Sequence, residues 1–495
     1  MSDAPPPLRW NDLYSEAELY KSALRVYTKP LFQWRKALSV STDGRNLYDL
    51  AGRGLRCLDA MHRSLQRQTF AFRPAVALPY NFNGKRRTLY VAPWEERIVD
   101  LLLYRTLNRA LHGWFSPNSY AYRERTYGLD RCQGEIAQLF RSAGGPWYIV
   151  KRDITDYFGS VDHSILTRQI AALVDTGDYL FQLLAQRIRF RFHDGEKDCT
   201  ASVGIPFGTA VACLFANIHL TDLDRDLGRI SDVRYFRYAD DLLLVARDGE
   251  NAMRAAHALD SGIAALSLRC KASHSAQLVL GTQSSAGTSF QPAPDFRHLG
   301  LQFHASGEVA LSRDKCRKIR NLFRFAFRRC ARRVRKLALA GERAQALVSV
   351  AARTVESGVR NVAIIDYYLK HVSNERQLTE LDRWLAEEVL SATFGGHRKG
   401  NFARISFAQL RAMGLPSLVH RRRLLLGRRI ESAFFIWQTE RKARALQGMV
   451  ARRPRKAATA FSSHPEAAAQ RVRASAPVSA ATANPRMPVR EGGCL

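Results

Sequence analysis

The spacing of apolar residues along this chain switches repeatedly between a helical and a strand-like period, and the switches mark its elements. Residues 8–75 carry helical spacing over Ala17 to Tyr27 and Leu47 to Leu65, with short breaks between them. Ala77 to Pro93 reads instead as strand, a turn containing Gly84, and strand. Helical spacing returns from Glu95 to Leu111 and breaks at Phe115-Ser116-Pro117. An apolar strand from Trp147 runs into Asp153, with a turn and a helix after Ser160. The Gly- and Pro-punctuated loop Ser202 to Ala210 leads into a helix from Ala212 to Leu227. Two apolar runs then flank Asp240-Asp241, which predicts a β-hairpin with acid at its tip, because Asp tolerates turn conformations. An amphipathic stretch follows from Ala252 to Leu266, and Phe296 to Phe303 forms a second candidate strand pair.

Downstream, Ser312 to Leu339 is a long helical pattern. Ile319, Leu322, Phe323, Ala326, Cys330, Val334 and Leu337 lie on one face. Arg328, Arg329, Arg332, Arg333, Arg335 and Lys336 occupy much of the rest, which suits a helix lying along a nucleic-acid backbone. Val348 to Tyr368, Leu378 to Val389 and Phe407 to Leu425 predict a further helical unit, with basic patches at His420 to Arg423 and Arg428-Arg429. From Arg452 the chain turns to Ala, Ser, Pro and Arg without apolar periodicity, a pattern of disorder.

Composition narrows the partners. The 495 residues suffice for about two to four domains, and a hydrophobic content of 46% describes a globular protein. Lys and Arg number 76 against 45 Asp and Glu, a formal charge of +31 that points to an extended polyanion. Nucleic acid leads over an anionic membrane surface, since no apolar run approaches the roughly 20 residues that span a bilayer. The start does not read as a signal peptide, so a cytoplasmic protein is expected. The 8 cysteines are scattered without a CxxC pair, which argues against a disulfide framework or a zinc site and predicts reduced, mostly buried thiols.

Asp240 and Asp241 carry the sharpest chemistry. Adjacent carboxylates on a rigid hairpin repel one another unless they meet a hard divalent cation, and oxygen ligands suit Mg²⁺. An isolated Asp-Asp pair is more often a solvated turn, so the case turns on a third acid. Asp153 supplies it at a strand end, and pairing its strand with the hairpin is expected to bring it beside Asp240. Carboxylates from neighbouring strands can hold two metals about 3.5–4 Å apart for in-line phosphoryl transfer. Gly204 and Gly208 leave backbone exposed for a base or sugar to approach. The basic run Lys85-Arg86-Arg87 is either a solvated edge or a phosphate grip. His274 and His298 read as polar-surface residues rather than metal ligands.

Taken together, these motifs resemble a prokaryotic reverse transcriptase of the group II intron, retron and phage-defence assemblage, over roughly residues 65–340 and in the family's order. Gly84 to Arg87 resembles the basic motif that contacts the incoming triphosphate, which gives Lys85 and Arg87 that role. Phe115 to Arg123 is similar to the intron-type finger segment. Asp153 to Phe158 resembles the first catalytic motif, with Phe158 as the aromatic gate against a ribose 2′-hydroxyl. Gly204 to Thr209, with Phe207 and Gly208, resembles the loop beneath the nascent base pair. Tyr238 to Asp241 resembles the metal-binding hairpin, Lys271 an imperfect Lys-Thr motif, and Leu299-Gly300 the primer grip. Phe207 stands where the family usually has Gln, so a polar contact near nucleotide and template is lost.

The resemblance implies an α+β right-hand polymerase with fingers, a palm built on an antiparallel sheet, a helical thumb and a C-terminal helical extension. The expected boundaries are an N-terminal helical segment at 1–75, fingers at 76–145 and palm at 146–305, with a fingers-proximal insertion about 164–200. Thumb at 306–345, extension at 346–450 and a basic tail at 451–495 complete them. The implied activity is RNA-directed DNA synthesis with dNTPs from a 3′-hydroxyl or protein primer, using two Mg²⁺ ions or Mn²⁺ in their place. Asp153 and Asp240 are the principal ligands, the Ile154 carbonyl a further one, and Asp241 a support. Expected partners are an RNA template or non-coding RNA and the DNA product, with a protein partner or second copy left open and no membrane. Antiviral defence is the favoured setting; a mobile-element enzyme and an RNA-binding scaffold are the rivals.

Overall fold

A computed structural model describes residues 7–30, 33–82, 85–123, 126–142, 144–281, 289–356 and 362–427. It divides into two compact units, with the boundary after Glu308. Gly84, the side chain of Lys85, Arg428-Arg429 and the tail from Arg452 lie outside the described residues.

The first unit holds eleven strands among its described residues, in chain order β1 (Ala75–Phe82), β2 (Lys85–Val91), β3 (Trp147–Asp153), β4 (Arg191–His193), β5 (Asp198–Thr200), β6 (Val233–Tyr238), β7 (Asp241–Ala246), β8 (Ala276–Leu280), β9 (Gln291–Ala293), β10 (Asp295–His298) and β11 (Leu301–His304). One sheet runs β6-β7-β3-β8-β9, antiparallel throughout except for the β8–β9 pair. A second runs β2-β1-β4-β5, so the segment expected as an insertion contributes its two short strands to the β1–β2 hairpin's sheet. β10 and β11 form a hairpin of their own.

Alternation along the strands gives the five-stranded sheet two apolar faces. Val150, Leu242, Leu244 and Val279 belong to the large core shared with helices His163–Ala171, Ala210–Gly228 and Gly249–Ala265. Helix Ala210–Gly228 is buried without a break from Val211 to Thr221, which suits its apolar start from Ala210 to Ala216. Trp147 has the opposite parity and packs on Phe140 of helix Leu129–Ser142, with ring centroids 4.8 Å apart. Phe140 also meets Phe296 and Phe303 of the β10–β11 hairpin, each at 5.4 Å.

The segment Phe115 to Arg123 is welded to β6. Arg237 donates its backbone N–H to Asn118 O at 2.8 Å, and Tyr120 N–H donates to Arg237 O at 3.0 Å. The Arg237 guanidinium is fully buried, paired with Asp224 at 2.6 Å and hydrogen-bonded to Ser119 Oγ at 2.8 Å. Burial works against its charge, yet Asp224 outweighs burial and the net shift of its pKa is upward.

In the second unit, helix Arg313–Arg335 buries Ile319, Phe323, Phe327, Cys330 and Val334, close to the expected face. Helices Ala340–Glu356, Val362–Leu369, Glu375–Phe394 and Leu418–Leu425 accompany it. The basic patch expected at 420–423 is largely committed within the unit: Arg421 pairs with Asp366 at 2.9 Å, and Arg422 and Arg423 pair with Glu375. Of the described cysteines, all free, Cys132, Cys213 and Cys330 are buried, whereas Cys57, Cys199, Cys270 and Cys316 are half-buried; small size and scattered position did not place most of them in a core.

Candidate active site

β3 ends at Asp153, whose Cα partner across the β3–β7 ladder is Asp241, not Asp240. The difference comes from the hairpin. Tyr238 pairs with Asp241, so the turn between β6 and β7 has two residues, Ala239 and Asp240, and Asp240 leaves the ladder. Ala239 adopts φ +59°, a left-handed conformation that favours glycine in such turns. The Asp240 carbonyl accepts the Ile154 N–H at 3.2 Å, which ties the turn to the residue after Asp153. Asp153 O in turn accepts the Lys271 N–H at 2.8 Å, drawing the half-buried Lys271 to the same edge.

The three acids differ in environment. Burial, and then the charges of Asp153 and Asp241, push the Asp240 pKa above the ordinary carboxylate range, while Arg87 acts in the opposite direction. Asp241 Oδ1 lies 3.6 Å from Lys151 Nζ and 3.7 Å from His298 Nδ1. His298 is 1% exposed rather than on the polar surface. It shares the inward side of β10 with Phe296, which packs on Phe140 of helix Leu129–Ser142. Burial lowers its pKa to about 4, so the imidazole is neutral at pH 7 and its contact with Asp241 is not an ion pair. Both its ring nitrogens and Asp241 Oδ1 lack a hydrogen-bond partner among the described residues. Lys151 is a site residue that sequence reading missed; its position two residues before Asp153 on one strand was the available signal.

Among the described residues, no three His, Cys, Asp or Glu side chains converge on one point. The donor set nevertheless fits Mg²⁺, an ion that commonly takes one or two carboxylates and completes its shell with water and substrate phosphate. Asp240, held among like charges and short of counter-charge, is the kind of group such an ion relieves.

The remaining expected residues are carried by other elements of the two units. The short helix Tyr157–Ser160 presents Phe158, and the Gly204 loop docks on it: Ile205 N–H donates to Phe158 O at 2.7 Å and Gly204 N–H to Val161 O at 2.8 Å. Gly204 has φ +83°, and a Cβ there would sit 3.0 Å from the backbone oxygens of both Phe158 and Gly159. The Phe158 and Phe207 rings meet edge to face with centroids 5.4 Å apart. Leu299 and Gly300, at φ +48° and +83°, form the two-residue β10–β11 turn, and Gln133 Nε2 donates to Leu299 O at 2.8 Å. In the second unit, Arg328, Arg329, Arg332 and Arg333 are exposed on helix Arg313–Arg335.

Residues 84–303 match the family described as reverse transcriptase (RNA-dependent DNA polymerase), and the fold that carries them is of the mixed α+β class. Solved structures with likeness to the chain include apo telomerase from Candida tropicalis truncated from its C-terminal domain, at 11% identity and TM-score 0.39. That match covers 49% of this chain and 55% of the other, so the chain spans about half its length. Telomerase from Candida albicans in complex with a TWJ fragment of telomeric RNA matches at 9% identity and TM-score 0.41, over 74% of this chain and 69% of that one. No curated protein matches the sequence.

Proposed function

We propose that the chain is an RNA-directed DNA polymerase that extends a 3′-hydroxyl or protein primer with dNTPs by two-metal phosphoryl transfer. The observation that carries this reading is the pairing of Asp153 with Asp241 at the strand ends, with Asp240 in the adjoining turn, inside the matched domain. Asp153 and Asp240, with the Ile154 carbonyl, would hold two Mg²⁺ ions or Mn²⁺ in their place, and Asp241 supports them, since its Oδ1 faces Lys151 and His298. The bound ions would supply charge neutralisation of the phosphates and a lower pKa for the primer hydroxyl.

The chain's own residues do the rest. Arg87 and Lys85 offset the triphosphate charge, the electrostatic role such chemistry demands. Phe158 excludes a ribose 2′-hydroxyl, while Phe207 and Gly208 lie under the base pair. Lys271, Tyr238 and the Leu299-Gly300 turn position nucleotide and primer, and Arg328, Arg329, Arg332 and Arg333 track the duplex backbone. Residues 76–145 serve as fingers, 146–305 as palm, 306–345 as thumb and 346–450 as an extension.

For the setting we favour a prokaryotic, cytoplasmic defence polymerase working with a non-coding RNA. What supports it is Phe207, which removes a polar contact at the template side. The formal charge of +31 supports one other reading, an RNA-binding scaffold whose synthesis is secondary. Primer extension with and without RNA, followed by sequencing of the DNA, tests these readings. Products complementary to added RNA are expected of a templated polymerase; repetitive DNA independent of RNA sequence indicates untemplated synthesis. RNA binding without incorporation would leave only the scaffold.

A further inference from the structure

Phe207 and Arg87 are far apart in sequence and meet because the Gly204 loop is pinned to β2. The Tyr90 N–H donates to Phe207 O at 3.0 Å. Next to it Gly208, at φ +102°, lets Leu89 pass, since a Cβ there would lie 2.3 Å from Leu89 Cδ1. Thr209 closes the turn by donating its hydroxyl to Pro206 O at 2.9 Å. With its backbone fixed at both ends, the Phe207 ring has two aromatic-type contacts: the edge-to-face contact with Phe158 and the Arg87 guanidinium 5.3 Å from its centroid. Arg87 is thereby held against an aromatic ring that itself packs on Phe158, five residues beyond Asp153.

A phenyl ring can neither donate nor accept a hydrogen bond to a base or a phosphate. Its π-face can orient a planar guanidinium, which a flexible Lys ammonium does not match. We infer that Phe207 is a positioning residue: its ring fixes the Arg87 guanidinium on the side of the site that Phe158 borders, in the geometry that receives the triphosphate of an incoming nucleotide. The inference rests on the polymerase reading for the identity of the ligand, and on the Phe207–Arg87 contact for everything else. It converts the departure at Phe207 from a loss into a substitution of one contact for another. The side chain that would have reached the nucleotide directly is replaced by one that acts through the arginine.

The test is a double-mutant cycle on the full-length protein, using Phe207→Leu, Phe207→Met, Phe207→Tyr and Arg87→Ala. Two readouts are taken: steady-state dNTP incorporation, and equilibrium binding of inorganic tripolyphosphate in Mg²⁺ by calorimetry. Phe207→Leu and Phe207→Met are expected to raise the dNTP KM about three- to tenfold and to weaken tripolyphosphate by a similar factor. The expected change in kcat is within about twofold. Phe207→Tyr, which keeps the π-face, is expected to restore both, and in the Arg87→Ala background Phe207→Leu is expected to add nothing further. Additive losses in the cycle, or failure of Phe207→Tyr to restore binding, would overturn the inference even if the protein polymerises. A coupled loss of tripolyphosphate binding in a protein that incorporates no dNTP would keep the inference and sink the polymerase reading. Absence of tripolyphosphate binding by the unsubstituted protein would overturn the inference outright. Phe207→Tyr keeps the ring and Phe207→Met brings an unbranched, adaptable side chain, so the cycle does not depend on Phe207→Leu folding.

Discussion

Asp153 and Asp241 stand directly opposite one another across β3 and β7, and the pairing of Asp241 with Tyr238 in the hairpin leaves Asp240 in the turn, off the ladder. The consequence is a division of labour among three acids. Asp241 is turned toward Lys151 and His298, whereas Asp240 is buried and crowded by two like charges, against which a backbone hydrogen bond and Arg87 act.

The first expectation concerns stability without substrate. Burial and neighbouring acids raise the Asp240 pKa, so its neutral form is the one the fold favours. The stabilising contribution of such a carboxyl is present below its unfolded pKa and is lost as pH rises through its folded pKa. In chelator at pH 7–8, Asp240→Asn is therefore expected to melt above the unsubstituted protein, with the gap closing as pH falls toward the carboxylate range. Added Mg²⁺ is expected to raise the melting temperature of the unsubstituted protein and to do much less for Asp240→Asn. Differential scanning fluorimetry across pH and Mg²⁺ measures both, and a lower Tm for Asp240→Asn in chelator would contradict the account.

The buried Arg237–Asp224 pair anchors β6, one arm of the acid hairpin. Asp224→Asn would leave a guanidinium of 0% side-chain exposure without its counter-charge. Removing one partner of such a pair costs about 3–5 kcal/mol. Urea denaturation is expected to show a loss of that size; a change under about 1 kcal/mol, the scale of a surface pair, would show the pair to be dispensable.

Gly204 has neither the space nor the backbone conformation for a side chain. Gly204→Ala is expected to cost about 1–3 kcal/mol and to loosen the loop from Phe158. Denaturant midpoints read the first effect, and a raised dNTP KM the second. A fully stable, fully active variant would remove the docking of loop on helix from the account.

Phe158 borders the Gly204 loop and touches Phe207, Tyr122 and Tyr157. Phe158→Val is expected to narrow the preference for dNTP over rNTP by on the order of tenfold or more in kcat/KM, the scale on which pocket shape discriminates. Unchanged discrimination would dismiss the gate.

Much of this was legible in the chain. The spacing around Trp147 to Asp153 and Val233 to Val245 specifies three strands with acids at their ends, because apolar runs cut by Asp have few other solutions. Register was less legible. Whether Asp153 faces Asp240 or Asp241 depends on a two-residue turn with Ala239 at positive φ, and Ala does not advertise that conformation. His298 misled because a histidine between Arg297 and Leu299 looks polar; its burial is decided by helix Leu129–Ser142, an element with no expectation attached. Arg421 to Arg423 looked like a surface for nucleic acid because charge is visible in sequence and its partners, Asp366 and Glu375, are distant along it. Phe207 was visible as a departure, but its contact with Arg87 exists only once the loop lies on β2.

The central claim is that Asp153 and Asp240 carry Mg²⁺-dependent nucleotidyl transfer. The most direct measurement is dNTP incorporation on a primed RNA by the unsubstituted protein, Asp153→Asn and Asp240→Asn, each first shown to be folded and to bind that RNA. The account predicts incorporation by the first and none above background by the other two, with RNA affinity unchanged. Incorporation retained by Asp240→Asn would contradict it.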